Sequence, residues 1–180
     1  VIARLRTAAG NVPLFEQAGA APGVPTGSLT HAVRPDLLAA AERAAAAGAG
    51  ALPEPSAAHL RGARRACARR HAVVLACSAL GPSVDALAAH PKPTVRADAA
   101  LAHACARAGE RIAVLRAAPS SERPTRALFE RQARETLARM EVWVVPDAWA
   151  RFRAGDAAGY RGYRGYRGYR ARLARVADAA

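Results

Sequence analysis

The sequence predicts an α/β protein built as two similar lobes, each with a mainly parallel sheet flanked by helices, the second lobe left unfinished. Three observations carry this. Short apolar runs, "VIARL", "HAVVLA", "RIAVL" and "VWVVP", alternate with longer Ala/Leu/Arg stretches, which is the pattern of successive βα units. At 180 residues the chain has room for one ordinary domain or two small lobes. With 52% hydrophobic and 23% charged residues it can also bury a core.

Taken in order, Val1 to Leu5 reads as the first strand, and "NVPLFEQAGA" as a loop entering a helix. "GSLTHAV" (Gly27 to Val33) reads as the second strand. "RPDLLAAAERAAAAG" has the alanine content and apolar spacing of a helix, stopped by Gly48 and Gly50. "LPEP" is a linker, Ser56 a helix cap, and the helix it opens runs to Arg70. His71 to Ala76 is a buried strand with "CSALGP" as its exit loop, and Pro82 to Ala89 is the next helix. "HPKP" marks the crossing between lobes, placing the first at 1–92 and the second at 93–180. The unit then repeats from Asp98. Arg111 to Leu115 is a strand, Glu122 to Met140 a long amphipathic helix capped by Ser121, and Val142 to Pro146 another strand. A further helix begins at Asp147. Four "GYR" copies follow from Gly159 to Arg170 and hold every tyrosine of the protein. Glycine at each third position disfavours helix by about 1 kcal/mol apiece, and a period of three suits neither helix nor strand.

The formal charge of +13 points toward polyanions, because clustered cations gain affinity by releasing phosphate counterions. Yet only Lys92 among the 27 basic residues is lysine, a bias equally expected of a genome that writes Arg wherever a surface cation serves. No apolar run reaches the roughly 18 residues of a membrane span, and no secretory leader is visible, so a cytoplasmic protein is expected. The start at Val1 suggests numbering that begins inside a gene product. The three cysteines, Cys67, Cys77 and Cys105, lack zinc-ligand spacing and cannot all pair. Cys67 and Cys105 lie in helical stretches and read as small buried hydrophobes. The five histidines lack ligand spacing and read as surface or packing residues. Arg34 beside Asp36 reads as a solvated cation next to a helix-capping acid.

Cys77 falls at the carboxyl end of a parallel strand, just before a helix, where open α/β sheets bind ligands. A helix N-terminus there would lower the thiol pKa and favour a bound carboxylate. Ser78 adds a hydroxyl and a backbone donor, and Gly81 lets the chain approach a ligand.

"LACSALGPSVDAL" resembles the strand-to-helix cysteine segment of the aspartate/glutamate racemase superfamily. "RTAAGNVPLFEQA", "RIAVLRAAPSSERPTRALFE" and "VPDAWARFRAGDAAGY" resemble other stretches of that group, in the same order, so the resemblance covers most of the chain. It implies two α/β lobes with a ligand between them and a small amino acid or carboxylate as substrate. It also implies proton transfer at the carbon alpha to the carboxylate, with no PLP or metal. On this resemblance Cys77 is the proton-transferring thiol and Ser78 supports the developing oxyanion. Thr7, Asn11, Ser120, Ser121 and Thr125 match positions that hold the substrate carboxylate; as residues alone they read equally as caps and turn formers.

The pattern departs from the family in one respect: the expected second-lobe cysteine segment is not reached by Ala180. A single cysteine suits one-sided protonation, as in a decarboxylase, or nucleophilic addition, as in a cis/trans isomerase. A catalytically inactive remnant is a further reading. A nucleic-acid binder using the Gly-Tyr-Arg repeat is the reading from another class. Self-association is common among proteins of the resembled group.

Overall fold

A computed structural model describes residues 2–20, 29–67, 72–86 and 94–156. By its contacts the chain divides into two units, Val1–Ala100 and Leu101–Ala180. The architecture is α/β, with a parallel sheet of four strands flanked by helices and a smaller second parallel sheet.

The first unit contains β1 (Ile2–Arg6), α1 (Val12–Gly19), β2 (Leu29–Val33), α2 (Pro35–Ala46), α3 (Glu54–Cys67), β3 (Ala72–Leu75), α4 (Gly81–Asp85) and β4 (Thr94–Arg96). Its sheet has the order β2-β1-β3-β4, every neighbouring pair parallel. Alternation along the strands turns Ala3 and Leu5 of β1 and Val73 and Leu75 of β3 to one face. There they pack with Leu37 and Ala41 of α2, Leu60 and Ala63 of α3, and Leu80 and Val84. Six of these side chains, Leu5, Leu37, Leu60, Val73, Leu75 and Leu80, are sealed from solvent, each contributing about 1.5–3 kcal/mol of hydrophobic stabilisation. Arg4 and Arg6 point to the opposite face, beneath Phe15 of α1.

Helix α5 (Ala97–Ala108) passes from the first unit into the second, which continues with β5 (Arg111–Arg116), α6 (Glu122–Thr136), β6 (Arg139–Val144) and α7 (Ala148–Arg153). β5 and β6 pair in parallel from Arg111↔Arg139 to Arg116↔Val144. Leu128, Phe129 and Ala133 form the buried stripe of α6.

Several sequence expectations shift in detail. Ser56 does not cap α3. The helix starts at Glu54, since Pro55 fits a first turn, and the amides of Ser56 and Ala57 both donate to Pro53 O. The expected helix at Pro82–Ala89 is described only as Gly81–Asp85, preceded by a 3-10 turn at Ser78–Leu80. The long helix ends at Thr136 instead of Met140. Leu137 turns left-handed (φ 60°), its amide closes on Ala133 O, and Arg139 to Val144 are claimed by the sheet. Strand β4 has no counterpart among the sequence expectations; it adds to the first sheet through Val73↔Thr94 to Leu75↔Arg96. Val1, "HPKP", and the Gly159–Arg170 repeat lie outside the described residues.

Candidate active site

From β1 the chain moves outward to β2, and from β3 it moves the other way to β4. The two connections therefore part between the carboxyl ends of β1 and β3, the position at which open α/β sheets leave a crevice. Leu5 pairs with Leu75, and the Ala76 amide donates to Leu5 O at 2.9 Å, extending the register past the strands. Two residues further on, Thr7 and Cys77 meet: the Thr7 hydroxyl donates to Cys77 Sγ at 3.2 Å.

Both residues sit in a turn that recurs along the chain. After β1, β3 and β5 come two residues, a three-residue 3-10 turn (Ala9–Asn11, Ser78–Leu80, Pro119–Ser121), and then an α-helix. The residue before each turn, Ala8, Cys77 or Ala118, is extended, and the residue after it, Val12, Gly81 or Glu122, is helical. Thus Cys77 is held by local backbone geometry, with Ser78 as the first residue of the turn that follows.

The electrostatics reverse one expectation. Thr7 is buried, and Cys77 is partly buried, leaning on the apolar core together with Ala79, Ala32 and Leu52. Burial pushes the Cys77 thiol up from its ordinary value; the Thr7 hydroxyl and the Leu80 and Ala79 amides pull it down, and the negative charge of Asp98 adds to the rise. Burial wins. α4, at 5 residues, is too short to supply much of a dipole against it. Cys77 therefore rests as a neutral thiol.

Behind this turn lies a network that sequence reasoning missed. Arg96 at the end of β4 is buried and forks onto Asp98, Nε to Oδ1 at 3.1 Å and Nη2 to Oδ2 at 2.9 Å, while Nη1 donates to Asp85 of α4. A Cβ on Gly81 would overlap the Arg96 guanidinium. Gly81 thus makes room for Arg96, where the sequence had suggested close approach of a ligand. The only sequence sign was the "RAD" spacing that sets Arg96 two residues before Asp98.

Asn11 closes the 3-10 turn after β1. In the second unit, Ser121 stands at the N-cap of α6 without capping it, because its hydroxyl donates backward to Ala118 O at 2.8 Å. Arg116 Nη1 shares that acceptor at 2.6 Å and also donates to Pro119 O at 3.1 Å, and Nη2 donates to Glu122 at 2.7 Å. The Ser120 hydroxyl is buried with no hydrogen-bond partner among the described residues, and Thr125 is buried on the inner side of α6. In the first unit, then, Thr7 and Cys77 come together, with Ser78 next in the chain. In the second, Ser120 and Ser121 gather on the Arg116 turn.

Arg34 is not simply solvated and Asp36 is not the cap of α2: Arg34 itself holds the N-cap position and forks onto Asp36 in the first turn, Nε to Oδ1 at 2.8 Å and Nη2 to Oδ2 at 2.5 Å. His31 of β2 contacts the carboxylate of Glu16, a partnership across 15 residues that the sequence did not signal. Cys67 is buried in the core and Cys105 lies on α5. Among the described residues no three His, Cys, Asp or Glu side chains gather as metal ligands, and no helix is long and apolar enough to cross a membrane. No family model matches the sequence, and no curated protein is significantly similar to it.

Proposed function

We propose that the chain is a cofactor-independent, racemase-like enzyme that transfers a proton at the carbon alpha to the carboxylate of a small amino acid or carboxylic acid, using the Cys77 thiol. The observation that carries this reading is the Thr7–Cys77 contact at the carboxyl ends of β1 and β3, where the connections of the first sheet part.

As base, the sulfur first gives its proton to water, then takes the α-proton while the C–H electron pair moves into the carboxylate to form an enediolate. The Thr7 hydroxyl and the Ala79 and Leu80 amides favour the thiolate that this step needs. The Ser78 hydroxyl is the nearby donor for the developing oxyanion. Racemisation requires a second acid on the other face.

A second reading, one-sided protonation, is favoured by the neutral resting thiol. There the Cys77 S–H gives its proton to a carbanion left by loss of carbon dioxide, and the thiolate is then reprotonated from water. Neither Cys67, in the core, nor Cys105, on a helix, stands at a strand end to act as its mate.

The deciding experiment follows α-proton exchange into deuterated water with aspartate, glutamate and alanine, and carbon dioxide release from 2-methylmalonate. Exchange or release should appear with at least one compound and fall about 10²–10⁴-fold in Cys77→Ala. Activity that survives the substitution, or no turnover across the panel, overturns the reading.

A further inference from the structure

The recurrent turn after β1 and β5 places an arginine at the same station in each copy, and among the described residues only one of the two has a hydrogen-bonded counterion. Both strands end in Leu-Arg, Leu5-Arg6 and Leu115-Arg116, followed by two residues, the 3-10 turn and a helix. The buried Arg116 guanidinium is held by two carbonyls of its own turn and by the carboxylate of Glu122, the first residue of α6. The corresponding first residue of α1 is Val12.

Arg6 is 0% exposed, and among the described residues Nε, Nη1 and Nη2 all lack a hydrogen-bond partner. Its surroundings compensate only in part, through the Phe15 ring and the negative charge of Glu16, neither of which accepts a hydrogen bond from it. The Phe15 ring centroid is 4.7 Å from its guanidinium carbon, Arg4 on the same face brings a second positive charge, and Glu16 is engaged by His31. A guanidinium buried without a hydrogen-bonded counterion is strongly disfavoured, and a bidentate oxyanion is the partner its fork fits best.

We propose that Arg6 binds the carboxylate of a small molecule, which takes the place that the Glu122 side chain takes for Arg116. The site lies on the α1 face of the sheet, opposite the face that carries Leu5 and Leu75, so it stands independently of proton transfer at Cys77. Carboxylate is the choice because that is the group the paired turn uses. Since Arg6 has no exposed surface, its surroundings have to open to admit the anion, and binding is slower than diffusion.

The test is thermal unfolding of the full chain titrated with malonate, with phosphate at matched ionic strength as the second arm. Wild-type protein should show a saturable rise of at least about 5 °C at a hundred times the apparent Kd. Val12→Glu supplies an internal counterion: it should unfold at a higher temperature without malonate and lose the response. Arg6→Met should lose the response as well, and if it fails to fold, Val12→Glu decides alone. A wild-type protein that ignores malonate, a Val12→Glu protein that responds as fully as wild type, or phosphate stabilising as well as malonate would each overturn the proposal. A malonate response in wild type with no exchange or carbon dioxide release on any compound sinks the enzyme reading and leaves Arg6 standing. Turnover with a flat malonate response does the reverse.

Discussion

Cys77 is pulled two ways: burial and Asp98 hold its proton on, while Thr7 and two backbone amides draw the thiolate form down. The folded chain therefore keeps this proton at a pH where the unfolded chain has released it. The contribution to stability is complete below the unfolded value of about 8.5 and is lost as pH rises from there through the higher folded value. Relative to Cys77→Ser, wild-type unfolding free energy should fall above about pH 8.5 with a slope of up to about 1.4 kcal/mol per pH unit, measured by urea titration. Parallel curves would show the thiol to be unshifted. Gly81 gives a second prediction at this scale. Because Arg96 is tied to Asp85 and Asp98, it cannot yield to a new methyl group without breaking those ion pairs. Gly81→Ala should cost about 1–3 kcal/mol although the backbone there is ordinary helix, and Arg96→Ala should remove most of that added cost in a double-mutant cycle.

At the scale of elements, α6 ends on Leu137, left-handed and 90% exposed, where glycine is the residue such a cap prefers. Leu137→Gly should stabilise the protein by a few tenths to about 1 kcal/mol, and a loss of stability on chemical denaturation would contradict the cap. This same residue explains where sequence reasoning overran. "LARMEVWVV" keeps helix-favouring residues through Met140, so nothing local announces a stop at a leucine; pairing with β5 decides it. β1, β2, β3 and β5 were legible because their apolar runs are bounded by turn residues. β4 was not, since Thr94, Val95 and Arg96 are too few to make a pattern, and Arg96 is buried by ion pairing.

Over the whole molecule, the candidate site was legible only where chemistry follows chain position. Cys77 at a strand end was readable, but its Thr7 contact depends on two strands 70 residues apart coming into register. Arg6 is silent in the sequence, because one basic residue among 27 carries no signal until its burial is known. The positive charge remains a property of the entire chain. Deleting 159–170 removes four arginines and takes the formal charge from +13 to +9. Heparin retention should therefore weaken without vanishing, and elution at the salt concentration of a neutral protein would place the polyanion affinity in the repeat alone. The equal spacing that follows β1, β3 and β5 has a last consequence: one backbone pattern presents three side chains at matching stations. Cys77 alone carries a thiol at this station; Ala8 and Ala118 hold the same extended place before their turns with only a methyl group.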